Sequence, residues 1–221
     1  YDQLIHDVAV QNLDVTFALD RSGLVGEDGP THSGNYDIAY LRCIPNMVIC
    51  TPSDENETRK LLTTAYLHNG PASVRYPRGT GPNSNVDKDL KPLKIGEANI
   101  INEESSEIVI LNFGTLLNEA NQISKELRAT LVDMRFVKPL DEKLLRKLFK
   151  KAKVFISIED GSIMGGAGSA VQEFASKENL NVRSILFGIP DKFIEHASRE
   201  EMLVEAGLDV ENIKSKLSKL L

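Results

Sequence analysis

The sequence is poor in cysteine and has no long apolar run, and both shortages limit what the protein can be. Cys43 and Cys50 are two cysteines in 221 residues, and they lack the spacing of a metal site. We expect both thiols to pack as small apolar side chains in a reduced compartment. No apolar run approaches the roughly 18 residues that a membrane helix needs, and no signal-peptide pattern is present. The sequence therefore predicts a cytoplasmic protein without a membrane partner.

Positive charge is also scarce. The 26 lysines and arginines are outnumbered by 32 aspartates and glutamates, giving a net charge of −6. A nucleic-acid partner would require a basic face, so we expect none. The composition, 41% hydrophobic and 26% charged, is that of a globular protein that buries a core. The length favours two smaller domains over a single large one.

The order of elements predicts two successive α/β domains, each with a mainly parallel sheet flanked by helices. In the first half we expect a helix at 1–10 whose apolar stripe starts without a capping residue, which predicts that the sequence is a piece of a longer chain. Strands follow at 15–19, 47–50 and 72–76, with helices at 36–43 and 53–68. We expect Ser53 to cap the second of these helices.

A change of composition marks the expected domain boundary. Between Pro77 and Pro92 the chain is rich in Gly, Pro, Asn, Ser, Asp and Lys. We place a first domain at 1–82, a linker at 83–93 and a second domain at 94–221. In the second domain the pattern predicts strands at 108–111, 130–133, 154–158 and 182–187, and helices at 116–127, 141–151, 167–177, 199–206 and 210–220.

The polar segment Asp20–Gly34 is a candidate site because it follows a strand, and ligands bind beyond the carboxyl ends of strands in open α/β sheets. It carries Arg21, Asp28 and His32, and its four glycines let the backbone pass close to a ligand. The alternative is a solvated surface loop, with Arg21 in a salt bridge and His32 at the surface.

The segment Arg75-Tyr-Pro-Arg78-Gly79 also follows a strand. A guanidinium group offers five donors that match phosphate oxygens. Two parallel strands that end in arginine-bearing loops can bring both loops to one phosphate group. The sequence thus predicts a phosphorylated small molecule at this edge of the sheet, although arginine at a strand end is common.

A third segment, Glu159–Gly168, joins a strand to a helix through a glycine-rich turn. Free N–H groups at such a helix start can bind an anion. The pattern is neither a P-loop nor a dinucleotide fingerprint. We favour tight strand-to-helix packing, with the acidic pair at a domain or subunit contact. No histidine, cysteine and carboxylate set has metal-ligand spacing, and no Gly-x-Ser-x-Gly elbow supports a hydrolase.

Several ordered blocks carry a family resemblance. They are Asp20–Gly34 (with Ser22 where the family usually has alanine), Leu41–Pro45, Thr51–Glu55, Arg75–Gly79, Leu111–Thr115, Val132–Asp141 and Met164–Ser169. Together they span essentially the whole chain, which resembles the C-terminal part of the 1-deoxy-D-xylulose-5-phosphate synthases. The resemblance implies the later part of a pyrimidine-binding domain followed by a transketolase-type C-terminal domain.

The resemblance also implies an activity. Such synthases are transferases of isoprenoid biosynthesis that condense pyruvate with glyceraldehyde 3-phosphate and release carbon dioxide, using thiamine diphosphate and Mg²⁺. They are homodimers. The family's cofactor glutamate and its diphosphate and metal ligands would lie upstream of Tyr1. We therefore expect no metal and no cofactor-binding residue in this chain, and no turnover by it alone.

Four residues match the family's substrate site. The resemblance places Arg21 and Arg78 at the phosphate of the aldehyde substrate. It places His32 and Asp28 near the pyruvate-derived intermediate, where His32 would hydrogen-bond or protonate the developing alkoxide and Asp28 would orient it or hold a water. Two alternatives are the β subunit of a 2-oxoacid dehydrogenase E1, which would retain the glutamate, and a non-catalytic dimerisation module.

Overall fold

A computed structural model describes residues 1–82 and 86–221. The first unit is built on three parallel strands, β1 (Thr16–Leu19), β2 (Val48–Cys50) and β3 (Ala72–Arg75). β3 lies between the other two, with Ala72 paired to both Thr16 and Val48. All four residues of β3 are buried, as expected for a central parallel strand with both faces covered.

Two helices of this unit connect the strands: α1 (Asp37–Leu41) and α2 (Glu55–Tyr66). The expectation that Ser53 caps α2 is wrong. Asp54 is the N-cap, because its carboxylate accepts the Glu57 backbone N–H at 2.8 Å. Both residues are good caps, and Ser53 is instead engaged by another side chain, described below.

The first predicted helix is shorter than expected. It covers Leu4–Ala9 with π-type hydrogen bonding, in which Val10 N donates to Ile5 O at 2.9 Å. Leu4 and Ile5 pack against the main hydrophobic core, so the apolar stripe has the role that its spacing predicts.

The second unit contains a five-stranded sheet in the order β4 (Asn99–Asn102), β6 (Ala129–Asp133), β5 (Ser105–Phe113), β8 (Val154–Ser162), β9 (Arg183–Ile189). β5, β6, β8 and β9 are parallel, and β4 is antiparallel to β6. The helices of this unit are α3 (Leu117–Leu127), α4 (Glu142–Phe149), α5 (Ala167–Lys177), α6 (Arg199–Ala206) and α7 (Val210–Leu220). The expected fold class, mainly parallel sheets flanked by helices, is thus observed.

Two strands were not predicted from the sequence. β4 has four residues, and β7 (Phe136–Lys138) has three. β7 belongs to the second half of the chain but pairs antiparallel with β2, so the first unit's sheet has the order β1, β3, β2, β7. Segments this short carry too little periodicity to be recognised.

The predicted linker at 83–93 lies partly within the described residues. Residues 83–85 lie outside the described residues, and 86–93 have no regular secondary structure. Leu93 and Ile95 pack against the core cluster of the first unit. The division into domains at 83–93 remains a prediction.

The two cysteines differ in environment. Cys50 is buried in β2, where burial raises the pKa of its thiol well above the ordinary value. Cys43 is exposed, so the expectation that both thiols pack inside is wrong for this residue. It lies two residues after α1 and donates to the Tyr40 carbonyl at 3.3 Å.

A buried carboxyl group joins the two units. Ser53 Oγ, just before α2, donates to Asp133 Oδ2 at the end of β6 at 2.7 Å. Asp133 is 1% exposed, and burial raises its pKa to about 7 despite that hydrogen bond. Burial thus disfavours the charged form in the native state.

This group predicts a pH dependence of stability. Because the native pKa of Asp133 is raised from 3.8 to about 7, its contribution to the free energy of unfolding is full below pH 4 and is lost as pH rises through 7. The unfolding free energy of the original protein should fall between pH 5 and pH 8. In Asp133→Asn we expect this fall to be smaller by about 1–3 kcal/mol. Urea unfolding at pH 5 and at pH 8 measures the two free energies. The exposed Asp191→Asn is the control, and an unchanged decrease in Asp133→Asn would contradict the assignment.

Candidate active site

The segment Asp20–Gly34 forms a loop whose two ends are hydrogen-bonded to each other. Gly23 N donates to Gly34 O and Gly34 N donates to Arg21 O, both at 2.9 Å. Ser22 N donates to Tyr76 O at 3.0 Å, which ties the loop to the segment that follows β3. The loop is therefore a closed structure at the carboxyl edge of β1 and β3.

Glycine is required where this loop closes. A Cβ atom at Gly34 would lie 2.3 Å from the Arg21 carbonyl oxygen. Gly23 has a φ of 70°, and its Cβ would lie 2.9 Å from the carbonyl oxygen of Asp160 in β8. The backbone can pass this close only without a side chain. The glycines thus hold the loop against the second unit.

Three of the four predicted site residues come together. Arg78 Nη1 donates to Asp28 Oδ2, and Arg21 Nε lies 3.5 Å from the same oxygen. Arg21 also pairs with its neighbour Asp20. Since Arg21 follows β1 and Arg78 follows β3, adjacent parallel strands bring the two guanidinium groups to one point, as the sequence predicts.

Asp28 is held in its ionised form. The hydrogen bond from Arg78 lowers the pKa of its carboxyl group, with Arg21 adding to the effect. Its side chain is 26% exposed, against 49% for Arg78. Such a carboxylate is a poor proton donor at neutral pH, but it can orient two arginines toward a common ligand.

His32 lies on the same loop, within electrostatic range of Asp28. Its Nδ1 is 2.9 Å from Thr31 Oγ1, and its side chain is exposed. No hydrogen bond joins His32 to Asp28 among the described residues. The proposed role of Asp28 in orienting His32 therefore has no direct contact to support it, while the exposed imidazole is free to meet a ligand.

Arg75 has a different role from Arg78. It is 2% exposed and pairs with Asp37 of α1, at 2.7 Å, and with Asp160 of β8. Its Nη2 also donates to Gly34 O at 2.9 Å. Burial alone lowers the pKa of the guanidinium, but the two carboxylates outweigh it and hold the pKa above its ordinary value. Of the two arginines in the segment 75–79, only Arg78 is open to a ligand.

The acidic pair Glu159 and Asp160, in the last half of β8, has the packing role that we favoured. Glu159 is buried and accepts the first N–H groups of α5, from Ala167 at 2.7 Å and Gly168 at 2.9 Å. The helix start is therefore occupied by a side chain of the protein, not open to an anion. Asp160 reaches across to Arg75 in the first unit, so the pair does form the expected contact between units.

A cleft of about 550 Å³ opens beside Arg78. Residues from both units line it, among them Tyr76, Arg78, Thr115 and Arg199. Thr115 and Arg199 were not identified from the sequence. Thr115 ends the family block Leu111–Thr115, but nothing in the sequence assigned a role to it, and Arg199 lies outside every block.

The described ranges 1–82 and 86–221 contain no group of three or more histidine, cysteine, aspartate or glutamate side chains that could hold a metal ion. In the same ranges no helix has both the length and the apolar character needed to span a bilayer.

The fold and the paired arginine loops define a class of protein. Residues 1–83 match the pyrimidine-binding domain of transketolase, and residues 96–213 match the transketolase C-terminal domain. The chain therefore belongs to the transketolase family. A solved structure titled "Split gene transketolase, inactive beta4 tetramer" has a TM-score of 0.84 and 25% identity, covering 99% of this chain and 70% of that one.

Within that family, the resemblance to 1-deoxy-D-xylulose-5-phosphate synthases is confirmed. The synthase of Pseudomonas fluorescens strain Pf0-1 is 55% identical over 215 residues, which is 97% of this chain and 34% of that protein. The synthase of Stutzerimonas stutzeri strain A1501 is 57% identical over 222 residues, covering 100% and 35%. The chain spans about a third of the length of these curated relatives.

Proposed function

We propose that this chain supplies the substrate-phosphate part of the active site of a 1-deoxy-D-xylulose-5-phosphate synthase. The reaction would be the condensation of pyruvate with D-glyceraldehyde 3-phosphate, releasing carbon dioxide. The observation that supports it is the convergence of Arg21 and Arg78, from adjacent strand ends, on the single carboxylate of Asp28. The identity of 55–57% to synthases supports the choice of substrates.

In this proposal the two guanidinium groups bind the phosphate of the aldehyde substrate. A phosphate dianion matches two guanidinium groups in charge and in donor geometry. Asp28 balances part of their charge and fixes their separation before the substrate arrives, which reduces the cost of ordering them on binding. The site thus fixes the aldehyde by its charged end.

His32 would act at the other end of the substrate. Its exposed imidazole lies on the same loop as Asp28, so it can donate a hydrogen bond, or a proton, to the oxygen that becomes an alkoxide. Asp28 stays ionised and acts through the arginines. This division of roles between His32 and Asp28 refines the one that the family resemblance implied.

The cofactor would be thiamine diphosphate with Mg²⁺, which supplies the carbanion and electron sink for the decarboxylation. The chain corresponds to about a third of the length of the curated synthases. The proposal therefore assigns the cofactor to other residues of the full-length synthase, and predicts that this chain alone neither binds it tightly nor turns over. We also propose a cytoplasmic location.

The phosphate assignment is tested by Arg78→Ala in the full-length synthase. Loss of a charge-assisted partner should lower kcat/KM for glyceraldehyde 3-phosphate by about 30- to 900-fold, equivalent to about 2–4 kcal/mol. Steady-state kinetics with both substrates measures it, and the KM for pyruvate should stay near its original value. Arg183→Ala, which removes an exposed arginine in β9, is the matched control. An unchanged KM for the phosphorylated substrate in Arg78→Ala would overturn the assignment.

A second candidate concerns the chain by itself. The solved relative is described as an inactive tetramer, which favours self-assembly without catalysis for a chain with these two domains. Homodimerisation of the full-length synthase remains our prediction, and the mass of each species in solution decides between a dimer and a tetramer.

A further inference from the structure

The start of α6 packs directly against the loop that carries Asp28. A Cβ atom at Gly26 would lie 3.5 Å from the Ala197 carbonyl oxygen and 3.7 Å from Arg199 N. One at Gly29 would lie 3.1 Å from His196 Cβ. Since Gly26 and Gly29 flank Asp28, the second unit presents the first residue of α6 at the edge of the arginine site.

Arg199 and Arg78 line the same two cavities. The larger is the cleft of about 550 Å³, and the smaller, of about 210 Å³, is bounded by Val25, Gly26, Glu27, Arg78, Gly79 and Arg199. The smaller cavity lies between the loop, the end of β3 and α6. Residues of both units, including Arg78 and Arg199, therefore bound it.

The position of the Arg199 side chain is fixed by a chain of hydrogen bonds. Its Nη2 donates to Thr115 Oγ1 at 3.1 Å, and Thr115 Oγ1 donates to Asp160 Oδ2 at 2.8 Å. Asp160 is itself held by the buried Arg75. Arg199 is thus oriented by a buried network, which lowers the entropic cost of using it for binding.

Most of the Arg199 donors have no acceptor among the residues that the structure describes. Thr115 takes one of the five N–H groups of the guanidinium, and within 1–82 and 86–221 no carboxylate oxygen lies within 4 Å of it. Arg21 and Arg78, in contrast, share Asp28. Among the residues that line the smaller cavity, Glu27 is the acidic one. The larger cleft is also lined by acidic residues, Asp54, Glu55, Glu119 and Glu200, and Arg78 and Arg199 are the two cationic residues that line both cavities.

We propose that Arg199 is a third guanidinium group of the phosphate site, contributed by the second unit. It binds the phosphate of the substrate together with Arg21 and Arg78. The inference rests on the proposed function for the identity of the phosphorylated substrate. It adds that the anion site is completed across the contact between the two units.

The test uses Arg199→Gln, Arg199→Lys and Arg78→Ala in the full-length synthase. We expect Arg199→Gln to raise the KM for D-glyceraldehyde 3-phosphate by about tenfold, with kcat and the KM for pyruvate nearly unchanged. Inorganic phosphate, used as a competitive inhibitor, should bind Arg199→Gln more weakly by a similar factor. Arg199→Lys keeps the positive charge but loses the planar set of guanidinium donors, so its KM for the aldehyde should rise less than that of Arg199→Gln.

The outcomes separate this inference from the proposed function. If Arg78→Ala raises the KM for the aldehyde and Arg199→Gln leaves both the KM and phosphate inhibition unchanged, the inference fails and the proposed function stands. If neither substitution has an effect, both fail. Arg183→Gln is the control for loss of an arginine, and Arg199→Lys serves if Arg199→Gln does not fold. An unchanged KM for the aldehyde together with unchanged phosphate inhibition in Arg199→Lys would then contradict the role of Arg199.

Discussion

Replacing Arg75 by methionine should lower the free energy of unfolding by about 3–5 kcal/mol, the usual cost of removing one partner of a buried ion pair. The guanidinium is 2% exposed and holds Asp37 and Asp160, which come from different units. Methionine fills much of the volume but leaves two buried carboxylates without their cation. The penalty is therefore electrostatic more than steric.

Urea unfolding of the chain at pH 7 measures this loss. Arg183→Met, at an exposed position whose guanidinium donates to the Leu220 carbonyl at 2.7 Å, should lower the unfolding free energy by no more than about 1 kcal/mol. The triple variant Arg75→Met, Asp37→Asn, Asp160→Asn removes the uncompensated charges, so it should recover part of the loss. If the triple variant were less stable than Arg75→Met alone, uncompensated charge could not be the cause.

Replacing Glu159 by alanine should cost about 2–4 kcal/mol, because two buried N–H groups at the start of α5 lose their acceptor. The carboxylate accepts from Ala167 and Gly168. This cost lies below that of two fully unsatisfied N–H donors, because the substitution also removes a buried carboxyl group. Burial raises the pKa of Glu159 to about 7, so part of the loss is offset by no longer burying a carboxyl group.

Thermal or urea unfolding tests this, with two comparison variants. Glu159→Gln keeps one acceptor oxygen at similar volume, so its loss should be smaller than that of Glu159→Ala. The exposed Glu103→Ala should fall within about 0.5 kcal/mol of the original protein. Equal stability of Glu159→Ala and Glu103→Ala would show that α5 does not depend on this cap.

Local signals predicted much of the fold. The parallel units follow from alternating apolar segments, and Asp141 was placed correctly at the start of α4, where its carboxylate accepts the Leu144 N–H at 2.9 Å. Ser53 was misplaced by one position because the next residue, Asp54, is an equally good cap. The choice between them is made by Asp133, some 80 residues away in the chain, and local patterns carry no such information.

The candidate site was also predictable in part: the convergence of Arg21 and Arg78 was, and the roles of Arg75 and Arg199 were not. Arg21 and Arg78 follow adjacent parallel strands, so their convergence follows from topology once the strands are known. The burial of Arg75 does not, because its partners Asp37 and Asp160 come from separate elements. Arg199 depends on how α6 packs against the loop, which only tertiary structure reveals.

The strand β7 has a consequence for how this architecture can vary during evolution. Phe136–Lys138 is contributed by the C-terminal half yet forms the edge of the N-terminal sheet next to β2. Recombination at the linker would combine halves whose edge strands evolved with different partners. A foreign C-terminal half must therefore present side chains at 136–138 that fit Ile49 and Cys50, and this requirement couples the inheritance of the two halves.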